Sequence, residues 1–66
     1  MSIIESELAG SMILRAWIEQ GHQRRLRVRI IRMSGEAGSR PVTSAAKTVD
    51  EACEVVRAWL EELLGT

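Results

Sequence analysis

The sequence predicts an α+β domain, a three-stranded antiparallel β-meander with one C-terminal amphipathic helix packed on one face, in the order βββα. Three observations predict it. From Arg25 to Ile30 arginines alternate with Leu26, Val28 and Ile30, the two-residue period of a strand with one apolar and one cationic face. Met12 to Glu19 alternates in the same way, with Met12, Leu14, Ala16 and Ile18 on one side and Ile13, Arg15, Trp17 and Glu19 on the other. In the last third, Val49, Ala52, Cys53, Val56, Trp59, Leu60, Leu63 and Leu64 fall within one helical stripe about 140° wide.

The opening segment, residues 1–10, reads as a short helix capped by Ser2 and ended by Gly10, or as a disordered tail, with residues 11–66 as a single domain. Gly21 and His22 break the first strand from the second. Placing Leu14, Ala16 and Ile18 on the face of Ile30, Val28 and Leu26 requires paired positions that sum to 44, and so a loop of three or five residues centred on His22. That register sets Glu19 against Arg25, Trp17 against Arg27, Arg15 against Arg29 and Ile13 against Ile31. Ser34 to Ser39 is a string of turn formers, and Pro41 then opens a third, edge strand over Val42 to Lys47.

The helix runs from Val49 to Leu64. Thr48 stands three residues before Glu51 in a capping box, Asp50 and Glu51 suit the positive end of the helix dipole, and Gly65 is the stop. The expected core is Leu14, Ala16, Ile18, Leu26, Val28, Ile30, Val56, Trp59, Leu60 and Leu63.

Composition bounds the function. A chain of 66 residues buries only about 60% of its unfolded surface, and with one cysteine and one histidine it has no internal disulfide and no cluster at zinc-ligand spacing. Oligomerisation is the remaining staple for a fold this small. No apolar run approaches the roughly 20 residues of a membrane span, and the start of the chain, with Glu5 and Glu7, does not read as a signal peptide, so a cytoplasmic protein is expected.

Positive and negative charges cancel overall but are segregated. Residues 15–47 hold Arg15, Arg24, Arg25, Arg27, Arg29, Arg32, Arg40 and Lys47 against Glu19 and Glu36, whereas residues 48–66 hold Arg57 against Asp50, Glu51, Glu54, Glu61 and Glu62. A chain divided in this way offers a cationic patch to an anionic partner, or opposite patches to its own copies.

Nothing in the sequence assembles a catalytic set. His22 belongs at a hairpin tip, and Cys53 on the apolar stripe reads as a small buried hydrophobe. Glu61 and Glu62 point about 100° apart. The glycines at 35 and 38 join two strands and lack the Lys and Ser or Thr that close a phosphate loop. No enzyme activity, cofactor, metal or small-molecule substrate is expected.

The candidate partner-binding residues are Ile13, Arg15, Trp17, Arg27, Arg29, Ile31 and Met33, on the sheet face away from the helix. Arg15 opposite Arg29 costs energy that an external anion would relieve, and Ile13, Ile31 and Met33 add an exposed apolar strip. The expected partner is a protein, including a second copy as a homodimer. Nucleic acid is the alternative on the same basic face, with only one aromatic residue there to stack a base.

The order β, β, β, α after a weak first helix is also that of double-stranded RNA-binding domains, but where those carry lysines this helix opens with Asp50, Glu51, Ala52, Cys53 and Glu54. The segments Leu14-Arg15-Ala16-Trp17-Ile18-Glu19, Leu26-Arg27-Val28-Arg29, Ser34-Gly35-Glu36 and Val49-Asp50-Glu51-Ala52 resemble the strands, turn and helix opening of small bacterial proteins built from a β-meander and a helix. That resemblance implies the fold and no particular activity.

Overall fold

The computed structural model describes residues 8–21 and 23–65. Strand β1 (Gly10–Glu19), strand β2 (Arg25–Ser34), strand β3 (Val42–Ala46) and helix α1 (Val49–Leu64) follow in that order. The strands form one antiparallel sheet, β1-β2-β3, so the βββα architecture is the one the periodicities predict. The expected N-terminal helix falls mostly on residues outside the described ones, and Gly10 is already part of β1.

The register of the first hairpin is the one the apolar pattern demands. Leu14 faces Ile30, Ala16 faces Val28 and Ile18 faces Leu26, which leaves a five-residue loop between Glu19 and Arg25. A slip of one residue would have turned Leu26, Val28 and Ile30 to the wrong side, so the two-residue period fixes the pairing strongly. Strand β3 pairs only with Val28 to Arg32, and the outer half of the hairpin extends beyond it.

Gly35 closes the second turn tightly against the chain before β1. Its N–H donates to the Ala9 carbonyl at 3.0 Å, and a Cβ at this position would run into the Leu8 carbonyl oxygen. At the helix start Thr48 Oγ1 accepts from the Glu51 N–H at 3.0 Å, while Glu51 Oε1 accepts from the Lys47 N–H at 2.7 Å. The box therefore closes one residue further out than the usual reciprocal pair. Gly65 ends the helix in the left-handed conformation, φ 82°, with its N–H directed to the carbonyls of Glu61 and Glu62.

The helix lies on the face of Val28, Ile30 and Ala46, the three buried side chains among the described residues, with Met12, Leu26, Ala52 and Val55 packed around them. This core is smaller than expected, and the helix is turned about its own axis. Of the helical apolar residues, Ala52, Val55, Val56 and Trp59 are half-buried, whereas Val49, Cys53, Leu60, Leu63 and Leu64 are exposed. At 100° per residue the covered arc is centred some 60° from the middle of the expected stripe, toward Val55, which that stripe does not include.

Several expected core positions are consequently in contact with water. Leu14 is 49% exposed, Leu60 47% and Leu63 45%, and Ala16 and Ile18 are exposed as well. The physical reason is lateral placement: the helix approaches β3 most closely and leaves the inner side of β1 uncovered from Leu14 to Ile18, although Met12 is packed against the core. On the far side of the helix Arg32 Nη1 reaches Glu62 Oε1 at 3.6 Å, a solvent-screened link between sheet and helix.

Ile30, 1% exposed, is the one large side chain among the described residues that this contact wholly encloses. Ile30→Ala is expected to lower unfolding free energy by about 2–5 kcal/mol, the usual cost of emptying such a site. Urea denaturation followed by circular dichroism checks this, with Leu14→Ala as the comparison; that half-exposed residue should cost markedly less.

Candidate interaction surface

The face of the sheet opposite the helix is assembled from odd-numbered positions. Ile13, Arg15, Trp17 and Glu19 of β1 lie against Ile31, Arg29, Arg27 and Arg25 of β2, and Thr43 and Ala45 of β3 continue the row beyond Ile31 and Arg29. The sequence-derived candidates are thus brought together on one surface, with Met33 at its end opposite Ser11.

The charges on it are arranged unevenly. Arg27 donates from Nε at 3.1 Å and from Nη2 at 2.9 Å to Glu19 Oε1. Glu19 therefore bonds diagonally rather than to Arg25 straight across, a reach that long side chains make in a twisted antiparallel pair. Arg15 and Arg29 stand directly opposite each other, and neither has an ion-pair partner among the described residues. The same holds for the Lys47 ammonium.

Ala45, small and opposite Arg29, leaves a shallow dent of about 180 Å³ bordered by Trp17, Arg27, Arg29 and Lys47. Trp17 is 47% exposed, so its indole is half available at the rim. The apolar strip is less open than the alternation suggests: Ile13 is exposed, but Ile31 and Met33 are half-buried.

A second surface lies on the helix side and is one the sequence reading missed. Leu14 forms one wall and Ala52, Cys53, Val56, Leu60 and Leu64 the other of a groove of about 580 Å³, with Arg57 and Glu61 at its mouth. Ala16 and Ile18 continue the apolar floor along β1. The signal for it was Val55. An apolar residue beyond the edge of the stripe widens the helix's apolar arc to about 180°, more than one flat sheet covers.

Cys53, expected to be buried, is exposed in this groove. His22 lies outside the described residues. Among the described residues no three His, Cys, Asp or Glu side chains gather as a metal site, and no helix is long and apolar enough to cross a membrane. Comparison of the chain with protein-family models, with curated proteins and with solved structures finds no match.

The facing arginines make the electrostatic reading testable. Arg29→Glu converts the repulsive pair into an attractive one and is expected to raise stability by about 0.2–1 kcal/mol. The gain should appear as a higher urea midpoint at low salt and shrink at high salt.

Proposed function

We propose that this chain is a non-enzymatic module that binds an acidic protein surface through the outer face of its sheet. The observation that carries this reading is the group of cations Arg15, Arg29 and Lys47, which have no ion-pair partner among the described residues and gather beside a half-exposed indole on the sheet face opposite α1. Folding alone gives no return for placing two guanidinium groups opposite each other. A carboxylate from a partner relieves that repulsion and makes charge-assisted hydrogen bonds of the stronger kind.

The dent over Ala45 suits the same partner. It is large enough for one side chain, is bordered by Arg29 and Lys47, and offers Trp17 as an apolar wall. Aromatic residues and arginine are also the residue types that most often dominate the energy of protein interfaces. Nucleic acid is the competing ligand, since one indole among arginines suits a stacked base with its phosphates. Against it stand the single aromatic side chain, Trp17, on the outer positions of the paired strands and the absence of any net positive charge on the chain.

Fluorescence anisotropy separates the two. A labelled peptide alternating glutamate with leucine is expected to bind more tightly than a labelled oligothymidine at equal ionic strength. Arg29→Ala combined with Lys47→Ala should weaken the peptide about tenfold or more, the loss of roughly 1.4 kcal/mol or more of charge-assisted contact. Tighter binding of the oligonucleotide, with a steep salt dependence, would transfer the face to nucleic acid.

A further inference from the structure

We propose that two copies of this chain pair through their β1 edges, antiparallel about a two-fold axis at Trp17, to make one six-stranded sheet with both helices on the same side. The two edges of the sheet differ in a way that singles out β1. Strand β3 is five residues long and follows Pro41, whereas β1 runs ten residues in unbroken register, without proline or bulge. Its inward positions from Met12 to Ile18 carry no charge. A long edge without proline, bulge or inward-pointing charge is a template for another strand.

The side chains of β1 indicate which strand. Arg15 and Glu19 flank Trp17 at equal distance on the outer face, so antiparallel pairing centred on Trp17 puts Arg15 opposite Glu19 of the partner subunit, and Glu19 opposite the partner's Arg15. Arg15 has no acid of its own among the described residues. Glu19 uses Oε1 for Arg27, which leaves Oε2 for the second arginine. Centring the pair one residue earlier, on Ala16, places Glu19 against an isoleucine. Centring it on Arg15 places the two arginines on each other. The strand is thus charge-complementary to itself at Trp17 and not at the two positions before it.

The inner face fits the same axis. Ala16 meets the partner's Ile18, small against large, and the uncovered floor of Leu14, Ala16 and Ile18 becomes continuous across the two subunits. The open side of each helix, with Cys53, Leu60 and Leu64, then faces a joint apolar layer instead of water. Such pairing closes on itself, because the same patch is used on both sides.

Light scattering over a concentration series of the full chain tests this. The expected mass is twice the 7.4 kDa of one chain at high concentration. Arg15→Glu alone should raise the concentration needed for dimer by about tenfold or more, while Arg15→Glu with Glu19→Arg should restore it. Leu64→Glu should also favour the monomer, and alkylation of Cys53 should slow as dimer forms. Circular dichroism confirms that each variant is folded. A dimer indifferent to Arg15→Glu but abolished by Ile31→Glu would place the contact on the outer face and overturn the proposal. So would a monomer at every concentration whose Cys53 resists alkylation until residues 1–7 are removed, since the occupant of the groove would then be that segment.

Discussion

The contact of Ala52 and Val55 with Val28, Ile30 and Ala46 holds the helix to the sheet, and the rest of the molecule takes its form from where that contact sits. It lies toward β3, where Ala46 supplies a side chain small enough for the helix to approach closely. The covalent link of two residues, Lys47 and Thr48, between β3 and α1 gives the helix little freedom to sit elsewhere. Because the helix starts beside β3, it reaches over β2 to Met12 and leaves Leu14, Ala16 and Ile18 on the inner face of β1 to solvent. The three side chains buried among the described residues are a small reserve of stability, since burying one Val or Ile side chain fully is worth only about 1.5–3 kcal/mol.

Elements governed by local rules were legible in the sequence. The hairpin register followed from one arithmetic condition on three pairs of aliphatic residues, and every pair named on that basis is found opposite its partner. The helix bounds followed from Thr48, Glu51 and Gly65, whose hydrogen bonds depend on near neighbours in the chain. The roll of the helix was not legible, and Val55 shows why. Periodicity says which residues avoid water, but with apolar positions spread over about half the circumference it does not say which portion of that arc the sheet covers. The stripe alone puts Leu60 in the expected core and makes Cys53 a buried hydrophobe, and both line a groove instead.

The outer face was legible as a set of residues but not as a set of bonds. Register placed Glu19 across from Arg25, yet the carboxylate bonds Arg27, one step along the diagonal. The twist of the sheet favours one diagonal, and the guanidinium fork offers two donors to a single oxygen. The consequence is that Glu19, the one acid among the described residues of the paired β1 and β2 positions on this face, is used near the hairpin tip, and Arg15 and Arg29 further down the ladder have no ion-pair partner among the described residues. Charge neutrality of the whole chain conceals this, because most of the acids sit on a helix on the other side of the sheet.

That separation of charge across the thickness of the domain constrains how copies can associate. Stacking the acidic back of one molecule on the basic front of the next satisfies Coulomb attraction, but each addition leaves another free front and back, and such an arrangement does not close. It would also consume the cationic face. Pairing through an edge related by a two-fold axis keeps both basic faces on one side and both acidic helices on the other. The surface charge is then doubled in extent, and the only arginine that gains a carboxylate is Arg15. In the proposed dimer Arg29, Lys47 and the dent beside Trp17 stay open, so covering the apolar groove in that way is compatible with the proposed use of the cationic surface.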